Sequence, residues 1–241
     1  MSLFSYVLMG VAFFAGVIKS GFGIGAGIFL TPMLALATEP KEAVVLVAPM
    51  MLFTDAVAVY QYWRKWDLRD VFALAPPCLL GAMGGALLLN WFTPDLARRA
   101  IGLIGLVYVG TELVKIGLHA SLTTQSVARS IPIGLVAGVA SALSNSGGVF
   151  LSTYIAGRLR KESFVGTLVL VFVGLNIIKV GMFTGLGLLN RRLWLMELAI
   201  IPLMFLGSLA GKRINRRIPE KHFMRSIFIL IILACIKLLF F

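Results

Sequence analysis

Charge is scarce in this chain. Only 13% of its 241 residues are Asp, Glu, Lys or Arg, and acids are the rarer sign, 10 against 22 bases. With 59% hydrophobic residues and a mean hydropathy of +0.97, there is more apolar surface than a soluble domain of this size can hide in one core. That excludes an ordinary soluble domain and leaves an integral membrane protein. Cysteine is nearly absent as well. Cys78 and Cys235 both fall inside apolar runs, where a small core side chain is a simpler reading than a disulfide or a metal ligand. His119 and His222 stand alone at the ends of apolar runs. No paired Cys/His spacing, no nucleophile–base grouping and no P-loop is present, so the expectation is not an enzyme, with no cofactor and no metal. The run "GFGIG" has the outline of a dinucleotide fingerprint, but no βαβ unit surrounds it.

What the chain has in quantity is long apolar runs. Residues 43 to 62, 71 to 92, 100 to 118, 163 to 189, 193 to 211 and 223 to 241 are each near the roughly 20 residues that a helix needs to cross about 30 Å of hydrocarbon. Only helices and closed barrels satisfy their backbone in lipid, and continuous apolar runs without polar alternation exclude a barrel. The fold class is therefore all-α, a polytopic membrane protein. Two further regions, 3 to 38 and 131 to 157, each hold a short apolar helix, a break rich in Gly and Ser, and a second short helix. Each reads as a broken or re-entrant segment. The first lacks a basic leading region and a small-residue cleavage site, so it is read as part of the mature protein rather than a signal peptide.

The two breaks match. "IKSGFGIGAGIFLT" from Ile18 aligns with "ASALSNSGGVFLS" from Ala140, with Gly16 on Gly138, Ser20 on Ser141 and "GIFLT" on "GVFLS". The register continues through Lys41-Glu42 on Lys161-Glu162, Gly81 and Gly85 on Gly207 and Gly211, Pro94 on Pro219 and Arg99 on Arg225. The spacing drifts only from 120 (Lys41 to Lys161) to 126 (Gly81 to Gly207). A register sustained over both halves is the mark of a duplication. The expected organisation is a single transmembrane domain, 1–241, of two repeats, about 1–120 and about 129–241, each with one broken segment and three spanning helices.

Basic residues choose the topology. If each broken segment enters and leaves on one face, the second half is inverted relative to the first. One face then carries Arg64, Lys65, Arg69, Lys115, Arg129, Arg158, Arg160, Lys161, Lys212, Arg213, Arg216, Arg217, Lys221 and Arg225, and the other carries Lys41, Arg98, Arg99, Arg191 and Arg192. The positive-inside rule favours this inverted arrangement, with the first face cytoplasmic and both ends of the chain outside. Trp63, Trp66, Trp91 and Trp194 lie at span ends, as interfacial anchors do. The net charge of +12 follows from these short basic loops beside lipid headgroups, and nucleic acid is not an expected partner.

If both breaks lie at mid-depth, the helical pieces after them begin there and aim free backbone N–H groups and a positive dipole end inward. Glycine lets backbone approach a ligand closely. The expected anion-binding residues are Lys19, Ser20, Gly21, Gly23, Gly25 and Gly27 in the first half. In the second half they are Ser141, Ser144, Asn145, Ser146, Gly147, Gly148, Asn176 and Lys179. The competing reading is close helix packing, which suits Gly81, Gly84, Gly85, Gly102 and Gly105. Asp55 stands inside a span, with three readings: a proton-coupling carboxylate, a structural partner for Lys19 or Lys179, or a hydrated residue near the surface.

The paired motifs "GVIKSGFGIGAGIFLTPML" and "GVASALSNSGGVFLS", each opening a half of the chain, resemble those of the TauE/SafE family of bacterial inner-membrane sulfite exporters and sulfonate transporters. The first motif matches through Pro32; the second has "SNSGG" in place of a more glycine-rich run and no proline after it. The resemblance implies a secondary transporter and exporter of small sulfur-containing anions such as sulfite or sulfoacetate. An anion channel and a transporter of another small carboxylate or of a metal ion are the alternatives. Lipid is an expected partner, and a homodimer is the candidate assembly.

Overall fold

The structure, a computed structural model, describes residues 3–22, 26–117, 127–155, 159–215 and 220–240. Every element in them is helical: α1 (Leu3–Phe22), α2 (Ala26–Ala35), α3 (Pro40–Gln61), α4 (Leu68–Trp91), α5 (Pro94–Gly117), α6 (Val127–Ser144), α7 (Gly148–Ile155), α8 (Lys161–Gly185), α9 (Arg191–Asn215) and α10 (Glu220–Phe240). Each of the six apolar runs falls on one helix, α3, α4, α5, α8, α9 or α10. Both predicted interruptions separate a long helix from a short one, α1 from α2 and α6 from α7. Four stretches, Pro40–Gln61, Leu68–Trp91, Glu162–Gly185 and Arg191–Gly211, are long and apolar enough to cross a membrane by length and composition. The chain is an all-helical, polytopic membrane protein.

Local chemistry sets several helix starts. The Asp67 carboxylate accepts from the N–H of Asp70 at 3.1 Å, the Thr93 hydroxyl from Leu96 at 3.2 Å and the Asn190 carbonyl from Leu193 at 3.1 Å. These side chains satisfy donors that the first turns of α4, α5 and α9 leave open. Pro40 and Pro94 open α3 and α5, where a missing N–H costs nothing.

The two most extensive helix contacts are α4 with α6 and α1 with α9, and glycine makes both. A Cβ on Gly16 would stand 2.1 Å from the carbonyl oxygen of Met204 and 2.6 Å from the nitrogen of Ser208; one on Gly138 would stand at the same two distances from Cys78 and Ala82. Backbone touches backbone at both crossings, the arrangement by which small residues join helices without a hydrophobic drive. Gly207 and Gly211 face Phe13 and Val17 in the same order, so α1 and α9 run parallel; Gly81 and Gly85 face Leu135 and Val139, so α4 and α6 do too. By contrast α5 and α10 are antiparallel: Gly102 meets Leu239, Gly105 meets Cys235, and Tyr108 stacks edge-on to Phe228. Also antiparallel are α3 and α8. Asp55 meets Asn176, while beyond the end of α3 the N–H of Asp67 donates to Thr167 near the start of α8. Exchanging α1–α5 for α6–α10 converts the α1/α9 pair into the α6/α4 pair and returns α3/α8 and α5/α10 to themselves.

The glycines expected to serve packing divide. Gly81 and Gly85 press on α6 and Gly102 and Gly105 on α10, but a Cβ on Gly84 would meet nothing within 4 Å. Gly84 lies on the exposed side of α4, away from the helix it was expected to pack.

Candidate functional site

Polar groups from α1, α2, α3, α6, α8 and the second break meet inside the bundle. Lys19 of α1 forms an ion pair with Asp55 of α3, and Asn176 of α8 donates to the other carboxylate oxygen of Asp55 at 2.6 Å. The ammonium of Lys19 also stands 5.4 Å from the ring centre of Phe172, within cation–π range. One turn beyond Asn176, Lys179 donates to Asn145 Oδ1 at 2.6 Å and to the carbonyl of Ser141 at 3.3 Å. The Asn145 amide in turn donates to Thr31 Oγ1 of α2 and to the carbonyl of Val44 of α3, both at 3.1 Å. Lys19, Asp55, Asn176 and Lys179 are all buried, Lys179 to 1% exposure.

The break itself is built by Asn145. Its φ of 55° lies in the left-handed region, which Asn tolerates better than most residues. Its N–H bonds to the carbonyl of Ser141 at 2.9 Å, the five-to-one closure that ends a helix. The same carbonyl receives Lys179, so a cation sits on the negative end of α6. Close approach matters here too: a Cβ on Gly27 would stand 2.5 Å from the carbonyl oxygen of Asn145, and one on Gly147 would stand 2.4 Å from that of Ala137.

The remaining expected residues fare differently. Ser144, at the end of α6, and Ser146, in the break, turn onto α6: both hydroxyls lie within hydrogen-bond distance of the carbonyl of Ala140, at 3.1 and 3.2 Å, and of each other at 2.6 Å, so their two protons are divided among these contacts. Gly148 begins α7, and Ser20 and Gly21 end α1. Gly23 and Gly25 lie outside the described residues. Sequence reasoning missed Thr31, whose bond to Asn145 spans 114 positions, and Glu197, a carboxylate inside α9 that is 0% exposed. For Glu197 a signal was available, a lone acid within the run 193 to 211. For Thr31 there was none. Separately, an open cavity of about 370 Å³ lies where α2 ends, lined by Thr38, Arg98 and Lys237 among others.

The cluster holds two buried lysines and one buried carboxylate, and among the described residues no acid lies within ion-pair distance of Lys179. Interrupted helices around a buried polar centre of net positive charge, inside a bundle made for lipid, are the build of a membrane transport protein.

The chain belongs to the TauE/SafE sulfite exporter family, whose model matches residues 8–238. It is similar to a protein of Comamonas testosteroni called probable inner membrane transporter protein TsaS, 27% identical over 184 residues, which are 73% of this chain and 74% of the relative. No solved structure matches it. The protein is thus a multi-pass membrane transporter of this family, whose members are transporters rather than enzymes.

Proposed function

We propose that the chain is a single domain of two inverted repeats that exports a small sulfur-containing anion, sulfite or sulfoacetate being the simplest members of the class. The anion is held where Lys19, Asn145, Asn176 and Lys179 converge. One observation carries this reading: two buried lysines stand in a cluster with one buried carboxylate, which pairs with Lys19 and leaves Lys179 with neutral acceptors. A buried net charge of one sign is costly in apolar surroundings, and an anionic ligand offsets it. The family and its relative from Comamonas support transport, and the name of the family supports a sulfur oxyanion. The helix pairings that exchange when the halves are exchanged, with α3/α8 and α5/α10 antiparallel, support the inverted repeat.

The observed contacts modify how such a site works. Its donors are the lysine and asparagine side chains more than the serine hydroxyls, because the protons of Ser144 and Ser146 are already taken up by Ala140 and by each other. Lys179 is held by neutral acceptors, Asn145 and the end of α6; an anion arriving there replaces them with a charge, and the bond strengthens.

Isothermal titration of the purified protein with sulfite, sulfoacetate, thiosulfate, taurine and acetate tests the proposal. Tight binding of a sulfur oxyanion, weakened about tenfold or more in Lys179→Gln, is the expected result, since a charge-assisted bond contributes roughly 1.5 to 3 kcal/mol. Unchanged affinity in both Lys19→Gln and Lys179→Gln refutes the site. Flux per molecule separates the remaining alternative, an anion channel, from a transporter.

A further inference from the structure

Among the described residues two buried carboxylates lie outside the anion site, Asp70 in the first turn of α4 and Glu197 in α9. Glu197 of α9 is 0% exposed, and neither of its oxygens has a hydrogen-bond partner. A carboxylate ion in that position gives up its hydration and gains nothing for it. The helices packed most closely on α9 are α1 and α3, and the charged and titratable side chains described on them are occupied elsewhere. Lys19 and Asp55 hold each other, Lys41 donates to the carbonyl of Asn90, and Glu42 accepts from Thr38. Tyr6 and Tyr60 are exposed, as are Arg191, Arg192 and Arg213 on α9 itself, and Lys179 is bound to Asn145.

We propose that Glu197 is a proton-binding site that couples transport to the pH gradient. It takes a proton from water on one side of the membrane, forming an O–H bond at one carboxylate oxygen, and returns it to water on the other side in the alternate conformation. This rests on the reading of the chain as an anion transporter. The place of Glu197 in the fold says how its charge acts on the anion site, at a distance and through α1. Glu197 shares a buried face of α9 with Ile200, Met204, Gly207 and Gly211, the face on which α1 rides through Phe13, Gly16 and Val17. The same α1 carries Lys19 into the anion site. Neutral Glu197 leaves this contact closed. Ionised Glu197 demands water, water arrives only if α1 and α9 part, and that movement displaces Lys19.

Proton binding is tested without any substrate. The infrared spectrum of wild-type protein at neutral pH, less that of Glu197→Gln, is expected to contain the carbonyl stretch of a protonated carboxylic acid, and its absence overturns the site. Should the glutamine variant fail to fold, dicyclohexylcarbodiimide labelling of wild-type protein decides instead. This reagent attacks protonated carboxyls in apolar surroundings; an adduct mapped to Glu197 is expected, and an unmodified Glu197 overturns the proposal. Coupling is tested by sulfite flux in proteoliposomes. A pH gradient is expected to accelerate wild-type flux by about tenfold. Glu197→Gln should lose that acceleration while keeping its sulfite affinity, and Glu197→Asp should recover part of it. Acceleration retained in Glu197→Gln, or a wild type indifferent to the gradient, overturns coupling. Failure of the anion site itself appears differently, as sulfite affinity that ignores Lys19→Gln and Lys179→Gln while the infrared band persists.

Discussion

Lys19 and Lys179 bring the same charge into the same apolar interior, yet they are held in different ways. Lys19 has a carboxylate partner; Lys179 has an amide oxygen and a helix-end carbonyl. Removing Asp55 therefore strands Lys19 and frees the Asn176 amide. Asp55→Asn is expected to cost about 3 to 5 kcal/mol, the penalty for breaking a buried pair, read as a fall in melting temperature. The double variant Asp55→Asn with Lys19→Gln should recover much of that loss, since it leaves no unpaired charge; no recovery would refute the pairing as the source of the effect. Asn145 is the second sensitive position. Asn145→Ala removes bonds to Lys179, Thr31 and Val44 together and should weaken sulfite binding more than Ser144→Ala, whose hydroxyl serves its own helix. Equal losses in titration would mean that the serine hydroxyl turns to the ligand. At this scale the sequence was legible where residue type is conspicuous: charges and an amide within apolar runs marked Lys19, Asp55, Asn176 and Lys179. It was silent on Thr31, because an apolar-looking stretch does not reveal which side of α2 meets the second break.

The helices of this protein are apolar on nearly all sides, so hydropathy located them but carried little information about which neighbours they touch. Glycine carried more. Gly16 and Gly207 in one pair of helices, and Gly138 and Gly81 in the other, bring backbones into contact, and these glycines fall on one another in the register read from the sequence. Gly84 shows where that inference stops, since a glycine one position from a packed face marks nothing. Substitution separates the two kinds. Gly16→Val or Gly138→Val forces a branched side chain against a carbonyl oxygen 2.1 Å from where its Cβ would stand, and should destabilise the protein severely in a thermal assay. Gly84→Ala meets open space and should be neutral or raise stability by up to about 1 kcal/mol, as alanine does in place of glycine within a helix. A Gly16→Val protein that melts as the wild type does would remove the close crossing of α1 and α9.

For the whole molecule the open question is orientation, and charge and geometry bear on it together. Arg64 and Lys65 follow α3, Arg160 and Lys161 precede α8, and the bond from Asp67 to Thr167 brings these segments to one end of the bundle, where Lys65 also reaches Glu162 at 2.9 Å. Arg191 and Arg192 open α9, beyond the far end of α8. In the proposed pair of repeats, the connections from α3 to α4 and from α8 to α9 are equivalent places. An axis lying in the membrane plane puts them on opposite faces, whereas an axis along the membrane normal puts them on the same face. Single-cysteine labelling distinguishes the two. The native Cys78 and Cys235 are fully buried and give little background. Lys65→Cys gives up only an exposed ion pair, worth about 0 to 1 kcal/mol, and Arg191 is exposed. In intact cells an impermeant maleimide should modify Arg191→Cys and spare Lys65→Cys until the membrane is opened, because the richer basic face belongs in the cytoplasm. Labelling of Lys65→Cys alone would reverse the orientation but keep the inversion. Labelling of both, or of neither, would mean that the halves are not inverted, and the convergence of the two interrupted helices on one anion would lose its symmetry argument.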